Sequence, residues 1–144
     1  MGYLKALCIL WKSKNIKTNV LQFLKGTKMS KLLIYLGENK KFDINQIVGG
    51  ISSILGVSNL KVGDFIGAIL ECEYSLNGSS TIVRMSKDAE TLTIEGVGDE
   101  AIDFALKIQR LLPYPLFMMD MEYNFNIRLL DYNSLAEIRK VTLI

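Results

Sequence analysis

The chain has 144 residues, of which 49% are hydrophobic and 22% charged, and these values are typical of one globular domain rather than of a disordered chain. It contains no histidine, which excludes a Ser-His-Asp triad, a Cys-His pair, an imidazole general base and any zinc site with a histidine ligand. The formal net charge of +2 is unevenly distributed, because residues 1–28 carry six lysines and no acid, whereas residues 29–144 carry eleven cations and fifteen acids and a net charge of −4.

Residues 1–28 form a basic segment whose pattern differs from that of the rest of the chain. Lysines interrupt its apolar runs, so we predict neither a secretory signal nor a transmembrane helix there. One interpretation is a basic amphipathic helix that lies on a membrane surface. Its apolar face would consist of Leu4, Leu7, Leu10 and Trp11. The other interpretation is an over-long reading frame whose true product begins at Met29, in which case the basic segment has no function.

The main body, residues 29–144, begins with a short apolar run that is followed by a helical pattern. KLLIYLG (residues 31–37) is a strand or a helix, since its periodicity does not distinguish the two. DINQIVGGISSILG (residues 43–56) is predicted to be a helix, because its apolar residues recur at helical spacing. Asp43 is the expected N-cap and Gly56 the expected end of this helix.

The apolar period then changes to two, which predicts a meander of three antiparallel strands. The pair Asn77-Gly78 is typical of a tight hairpin turn between the first and second strands. A second turn, KDA, leads into the third strand. The predicted strands are FIGAILECEYS (65–75), STIVRMS (80–86) and ETLTIEG (90–96).

The clearest helical pattern is GDEAIDFALKIQRLL (residues 98–112), for which Asp99 is the expected N-cap. A shorter helix is predicted for NSLAEIRKV (residues 133–141), with Asn133 or Ser134 as its cap. Both helices have apolar residues at the spacing that places one face against a sheet.

Between these helices, FMMDMEYNFNIRL (residues 117–129) alternates strictly, which predicts one long strand with Phe117 and Met119 on its apolar face and Asp120 and Glu122 on its wet face. Because strands usually run about five or six residues, a bend or bulge is expected near Asp120. The order of elements describes a single α+β domain over residues 29–144. We expect an antiparallel sheet of about four to five strands with helices packed on one face.

Few side chains offer catalytic chemistry, and the sequence predicts no cofactor, no metal site and no enzymatic activity. It has no GxGxxG, no P-loop and no EF-hand spacing. Cys72 lacks a histidine partner and lies among apolar residues, so it is expected to be a buried core residue. Glu71 and Glu73 share the opposite face of the same strand, where exposure to solvent is expected. The cysteines Cys8 and Cys72 form no disulfide framework, which is typical of the cytoplasm.

Residues 87–105 contain six carboxylates offset by a lysine, namely Asp88, Glu90, Glu95, Asp99, Glu100 and Asp103. Asp99, Glu100 and Asp103 lie in the first turns of a predicted helix, where negative charge is favourable, and Asp103 is spaced to pair with Lys107. The three others are not explained in this way. They lie beside a predicted hairpin edge, where charge blunts edge-to-edge pairing, or they form a surface that binds a basic protein.

The segment TIVRMSKDAETLTIEGVGDEAIDFALKIQ (residues 81–109) followed by MMDMEYNFNIRL (residues 118–129) resembles the small cytoplasmic immunity proteins of bacterial toxin systems, in the style of contact-dependent growth inhibition. The resemblance covers roughly residues 29–144 and rests on size, acidity, absence of catalytic groups and order of elements. It implies a cytoplasmic protein that binds a cognate toxin domain, often a nuclease, and occludes its active site or substrate surface.

For this function we expect a basic protein partner and neither direct nucleic-acid binding nor membrane binding by residues 29–144. The candidate toxin-binding residues are Asp88, Glu90 and Glu95, then Glu100 and Asp103, with Asp120 and Glu122 as a rival surface. Two alternatives remain open at this point. One is an adaptor or subunit of a resident protein assembly, and the other is an enzyme or small-ligand module with a deep pocket.

Overall fold

Residues 30–144, which are the part of the chain that the computed structural model describes, form a seven-stranded antiparallel sheet with three helices on one side. The strands are β1 (Lys31–Tyr35), β2 (Val57–Phe65), β3 (Ala68–Leu76), β4 (Ser79–Met85), β5 (Thr91–Glu95), β6 (Phe117–Asp120) and β7 (Asn126–Arg128). The helices are α1 (Ile44–Ser53), α2 (Asp99–Leu111) and α3 (Leu135–Thr142), and a 3₁₀ turn spans Leu129–Asp131. The strand order is β2-β3-β4-β5-β1-β6-β7. The predicted α+β class is therefore confirmed.

The core lies between the sheet and the helices, with α2 at its centre against β3 and β4. Alternate residues of each central strand point toward this layer, as Leu70, Cys72 and Tyr74 of β3 do. The ring of Tyr74 contacts that of Phe104 on α2, with 5.5 Å between the ring centroids. This packing confirms the predicted apolar face of β3 and the predicted burial of Cys72.

Two predicted caps and one predicted turn are confirmed, whereas α1 ends at Ser53, before the expected Gly56. The side chain of Asp43 accepts hydrogen bonds from the backbone N–H groups of Asn45 and Gln46 and so caps α1. Ser134 caps α3 in the same way. Asn77 and Gly78 both have positive φ, of 51° and 86°, which is the backbone of a tight hairpin whose twist matches that of the flanking strands.

The sheet has seven strands rather than the predicted four to five, and one of the additional strands is β2. Its sequence, VSNLKVGDF, does not alternate, and most of its side chains are exposed because it is an edge strand that pairs only with β3. The pairing shifts register twice, next to Asn59 and Gly63, which both have positive φ. These irregularities remove the period-two signal on which strand prediction depends.

The single long strand predicted over residues 117–129 is wrong, because the irregularity expected near Asp120 is a complete turn, after which the chain returns as β7 and pairs with β6. Both carboxylate oxygens of Asp120 accept hydrogen bonds from Asn124, one from the backbone N–H at 2.7 Å and one from the side chain at 2.9 Å. Tyr123 adopts positive φ at the turn. The alternation of apolar residues continues through the turn by coincidence, and it conceals the Asp and Asn residues that close the loop.

The predicted faces of this segment are also reversed. Met118 and Asp120 point toward the helices, because they pair with Ile34 and Leu32 of β1 on the core side, and both are buried. Phe117 consequently points to the opposite side of the sheet. In α2 the predicted cap is wrong as well, since Gly98 is the N-cap residue and makes no side-chain cap bond.

The basic segment, residues 1–28, and Met29 lie outside the described residues, so the two interpretations of that segment stay predictions. Within residues 30–144, no helix combines the length and the apolar character that crossing a membrane requires.

Candidate protein-binding face

The side of the sheet opposite the helices is formed by side chains of five adjacent strands, and we call it the open face. In the part of the chain that the structure describes, all three helices pack on the other side. The open face consists of Lys31, Leu33, Tyr35, Ile69, Glu71, Glu73, Ile82, Arg84, Thr91, Thr93, Glu95, Phe117 and Met119.

Four charged residues cross the open face as one connected set, which we call the charged row: Glu71, Arg84, Glu95 and Lys31. Arg84 donates from Nε to Glu71 Oε2 at 2.7 Å and from Nη1 to Glu95 Oε1 at 2.8 Å. Lys31 Nζ lies 3.5 Å from the same oxygen of Glu95. The strand register creates this set, since Glu71 is directly opposite Arg84 and Lys31 directly opposite Glu95.

All four side chains of the charged row are between 29% and 39% exposed. Hydrogen bonding to Glu71 is the main cause that raises the pKa of the Arg84 guanidinium. Because each carboxylate is held by at least one bond, its position is fixed before any partner arrives. A preorganised group loses less conformational entropy when it binds.

Glu73 extends this pattern beyond the charged row. It lies two residues from Glu71 on β3, about 7 Å away by strand geometry, and on the same face. Its carboxylate accepts a hydrogen bond from the side-chain amide of Asn59 on β2. This donor is neutral, and among residues 30–144 no ion pair offsets the charge of Glu73.

Beside the charged row the open face is apolar and aromatic. Leu33 and Met119 are 4% and 2% exposed, although they point away from the helices. The rings of Tyr35 and Phe117 lie 5.5 Å apart, and the hydroxyl of Tyr35 accepts a hydrogen bond from Asn126 at 2.5 Å. An open groove of about 460 Å³ runs between this area and Arg84. Lys31, Leu33, Asp88, Thr93 and Met121 contribute to its lining.

Of the predicted toxin-binding residues, Asp88 and Glu90 lie in the turn between β4 and β5. Asp88 Oδ1 accepts hydrogen bonds from Ser86 Oγ at 2.6 Å and from the backbone N–H of Glu90 at 3.0 Å. The bond from Ser86 is the main cause that lowers the pKa of Asp88. Asp88 therefore organises the turn, in which Ala89 has a positive φ of 60°.

Glu95 lies at the other end of β5, about 13 Å from this turn by strand geometry, and belongs to the charged row. Because β5 pairs with both β4 and β1, Glu95 is not beside a sheet edge, and that part of the prediction is wrong.

Glu100 and Asp103 lie on α2, on the opposite side of the sheet from Glu95. Asp103 Oδ2 lies 2.9 Å from Lys107 Nζ, which confirms the predicted pair. Asp103 also accepts a hydrogen bond from the hydroxyl of Tyr74, and Lys107 donates to that hydroxyl at 2.6 Å. Burial is the main cause that raises the pKa of Tyr74. The three side chains tie β3 to α2.

Asp99, the expected cap of α2, instead pairs with α3, because Arg139 Nη2 lies 2.6 Å from its Oδ1.

Asp120 and Glu122 do not form the predicted exposed surface. Asp120 is 6% exposed and is engaged by Asn124, and Glu122 is half-buried in the turn between β6 and β7. The seven candidate residues are thus divided between a hairpin turn, the open face, helix α2 and the β6–β7 turn, and they do not form one surface.

Glu71 and Glu73 are stronger candidates for contact with a partner than most of the predicted residues. The sequence predicted their position on the polar side of β3, but it did not predict the hydrogen bonds that hold them in place. The signal was present as two carboxylates at alternate positions. Their partners Arg84 and Asn59 are 13 and 14 residues away in the sequence, so no local pattern shows the contacts.

Among residues 30–144, no three carboxylate or thiol side chains converge as metal ligands would. Burial, with smaller effects from Glu71 and Glu73, raises the pKa of the Cys72 thiol to about 12. A thiol with that pKa remains protonated near neutral pH and is a poor nucleophile. Comparisons of the chain with protein-family models, with curated proteins and with solved structures gave no match.

Proposed function

We propose that this protein is an inhibitor of the immunity type, which binds a basic toxin domain through the open face and occludes the toxin's active site or substrate surface. The observation that carries the proposal is the composition of the open face. An apolar and aromatic area that includes the half-buried rings of Tyr35 and Phe117 lies next to the fixed charged row. Aromatic residues, methionine and arginine are enriched in protein interfaces, where an apolar centre is surrounded by a polar rim.

The size of the open face sets the scale of the contact. Its five strands have four interstrand spacings of about 4.8 Å, which gives a width of about 19 Å. Strands of five to nine residues, as in β1 and β3, give a length of about 17 to 30 Å. The resulting area is on the order of 300–600 Å², so the turns at the ends of the strands must contribute to the roughly 800 Å² that each partner gives to a standard interface.

The charge of the domain supports a basic partner. Residues 29–144 carry a net charge of −4, and on the open face the carboxylates Glu71, Glu73 and Glu95 outnumber the cations Lys31 and Arg84 by one. A nuclease holds phosphates with a positively charged cleft, and carboxylates at fixed positions are complementary in charge to such a cleft. The same face would also suit an adaptor role in a resident assembly, which is the second candidate function.

The test is capture of a partner by the tagged full-length protein at low salt, followed by measurement of binding kinetics with the purified partner. We expect one basic polypeptide in a one-to-one complex. A nuclease or other toxic activity of that polypeptide should be lost when the complex forms. A neutral partner, or a set of resident proteins without toxic activity, would favour the adaptor.

Two isosteric variants locate the binding face. Glu73→Gln preserves the acceptor for Asn59 and removes only the charge, whereas Glu137→Gln removes the same charge from α3 on the opposite side of the domain. Glu73→Gln should weaken binding by roughly 0.5–1 kcal/mol, or about two- to fivefold in Kd, and reduce its salt dependence. Glu137→Gln should bind like the parent. Equal binding by both variants would remove the open face from the proposal.

A further inference from the structure

We infer that the basic segment, residues 1–28, docks on the open face of its own domain. The first observation is where the segment joins the sheet. The chain enters β1 at Lys31, and β1 is the fifth of seven strands. The carbonyl of Ser30 accepts a hydrogen bond from the N–H of Gly96 at 2.7 Å, so the backbone is paired up to this point. The described chain therefore begins between β5 and β6.

The second observation is reach. A chain of 28 residues spans about 42 Å even at the short rise of a helix, about 1.5 Å per residue. This length exceeds the width of the sheet, about 29 Å. The segment can thus extend from Ser30 to any part of the open face.

The third observation is apolar complementarity. Tyr35 and Phe117, whose rings are in contact on the open face, are only half-buried, so they keep apolar area in contact with water. The apolar stripe of the segment would supply Leu4, Leu7, Leu10 and Trp11 to this area. Covering apolar side chains on both surfaces removes their area from water, which favours docking.

The fourth observation is charge. The segment carries six lysines and no acid, and it faces a domain with a net charge of −4. On the open face, Glu73 is bonded to a neutral amide, so its charge remains available to a lysine. Attraction between the segment and the open face is intramolecular, which makes the local concentration of the segment high.

Docking has a consequence for binding. The segment has the charge that we propose for the toxin, so it would occupy the open face in the absence of a partner and compete with the partner for it. This competition rests on the proposed function, whereas the docking itself does not.

Trp11 is the sole tryptophan of the chain and reports on docking directly. In the folded full-length protein, we expect its fluorescence emission at shorter wavelength than in urea, with protection from acrylamide quenching that does not depend on protein concentration.

Thr93→Lys places a cation between Arg84 and Leu33, which are the cross-strand neighbours of Thr93. This variant should lose the protection. Leu130→Lys, at a 54% exposed position outside the open face, is the matched control and should retain it.

Carbodiimide cross-linking gives a second measurement that does not depend on the folding of Thr93→Lys. It should join a lysine of residues 1–28 to Glu73 within one chain, and the cross-link should be absent from Glu73→Gln. Three results would overturn the proposal: a Trp11 equally exposed in the folded and unfolded protein, protection or cross-links that arise only between chains, or protection only after addition of phosphatidylglycerol–phosphatidylethanolamine vesicles. Protection without any captured toxin would leave the docking standing and contradict the proposed function.

Discussion

Ionisation of Cys72 should lower the stability of the domain as the pH rises into the alkaline range. Its pKa rises from 9.0 to about 12 on folding, because the buried thiolate would be desolvated and would lie near Glu71 and Glu73. Because the pKa is raised in the folded state, the contribution of the neutral Cys72 thiol to the free energy of unfolding is fully present below pH 9. This contribution decreases as the pH rises toward 12. The free energy of unfolding should fall by about 1.4 kcal/mol per pH unit in this window from Cys72 alone.

The substitution Cys72→Ala removes this titration. At pH 7.5 we expect it to cost about 1–2 kcal/mol, since it leaves a small cavity at a site with no exposure. By pH 10.5 ionisation in the unfolded state has cost the parent about 2 kcal/mol that the variant does not lose. The two proteins should therefore have nearly equal stability at pH 10.5, or the variant should be slightly more stable.

Urea unfolding at both pH values measures the difference, with Cys8→Ser in both proteins so that Cys72 is the only thiol. Other alkaline titrations are shared by the two proteins and cancel. The same destabilisation by Cys72→Ala at pH 7.5 and at pH 10.5 would refute the reasoning. It would show that the thiol is not desolvated in the folded state.

Three further substitutions test contacts in the sheet and the helices. Tyr74→Phe removes the hydroxyl bonded to Asp103 and should lower the free energy of unfolding by about 1–2 kcal/mol in urea titrations, whereas no change would mean that the bond is absent in solution. Arg84→Met leaves Glu71 unpaired and should cost about 1 kcal/mol, less at high salt because the side chains are partly exposed; a loss that salt does not alter would contradict an electrostatic origin. Asp43→Ala removes the cap of α1 and should cost about 1 kcal/mol, measured by thermal unfolding, and an unchanged midpoint would contradict the capping role.

The parts of the fold that sequence reasoning predicted are those whose information is local. The strands β3, β4 and β5 alternate regularly and are joined by short turns, so their pairing follows from adjacency and from the Asn77-Gly78 hairpin. Helix α2 has a long and regular apolar pattern. In contrast, β2 contains two register shifts, which interrupt its alternation of apolar and polar residues. The β6–β7 turn is closed by hydrogen bonds from Asn124 to Asp120, but the alternation of residues runs through it without a break, so the pattern does not show the turn.

The candidate site was less predictable than the fold. Acidic residues that are close in sequence, such as Glu95 and Asp103, lie on opposite sides of the sheet because a strand is followed by a helix that packs on one face. Residues that are distant in sequence meet instead, as Lys31 and Glu95 do. The clustering of acidic residues along the chain therefore indicated an acidic domain correctly, but it did not indicate which residues share one surface.

By itself, the sequence determined the α+β class, the caps Asp43 and Ser134, the central meander and the burial of Cys72, because turn chemistry and side-chain periodicity act over a few residues. Only the tertiary structure decided that β1 inserts between β5 and β6 and that the charged row crosses the open face. Those features depend on which strands, distant in the chain, bury the most apolar area together while pairing their backbone groups, and no local pattern encodes that choice.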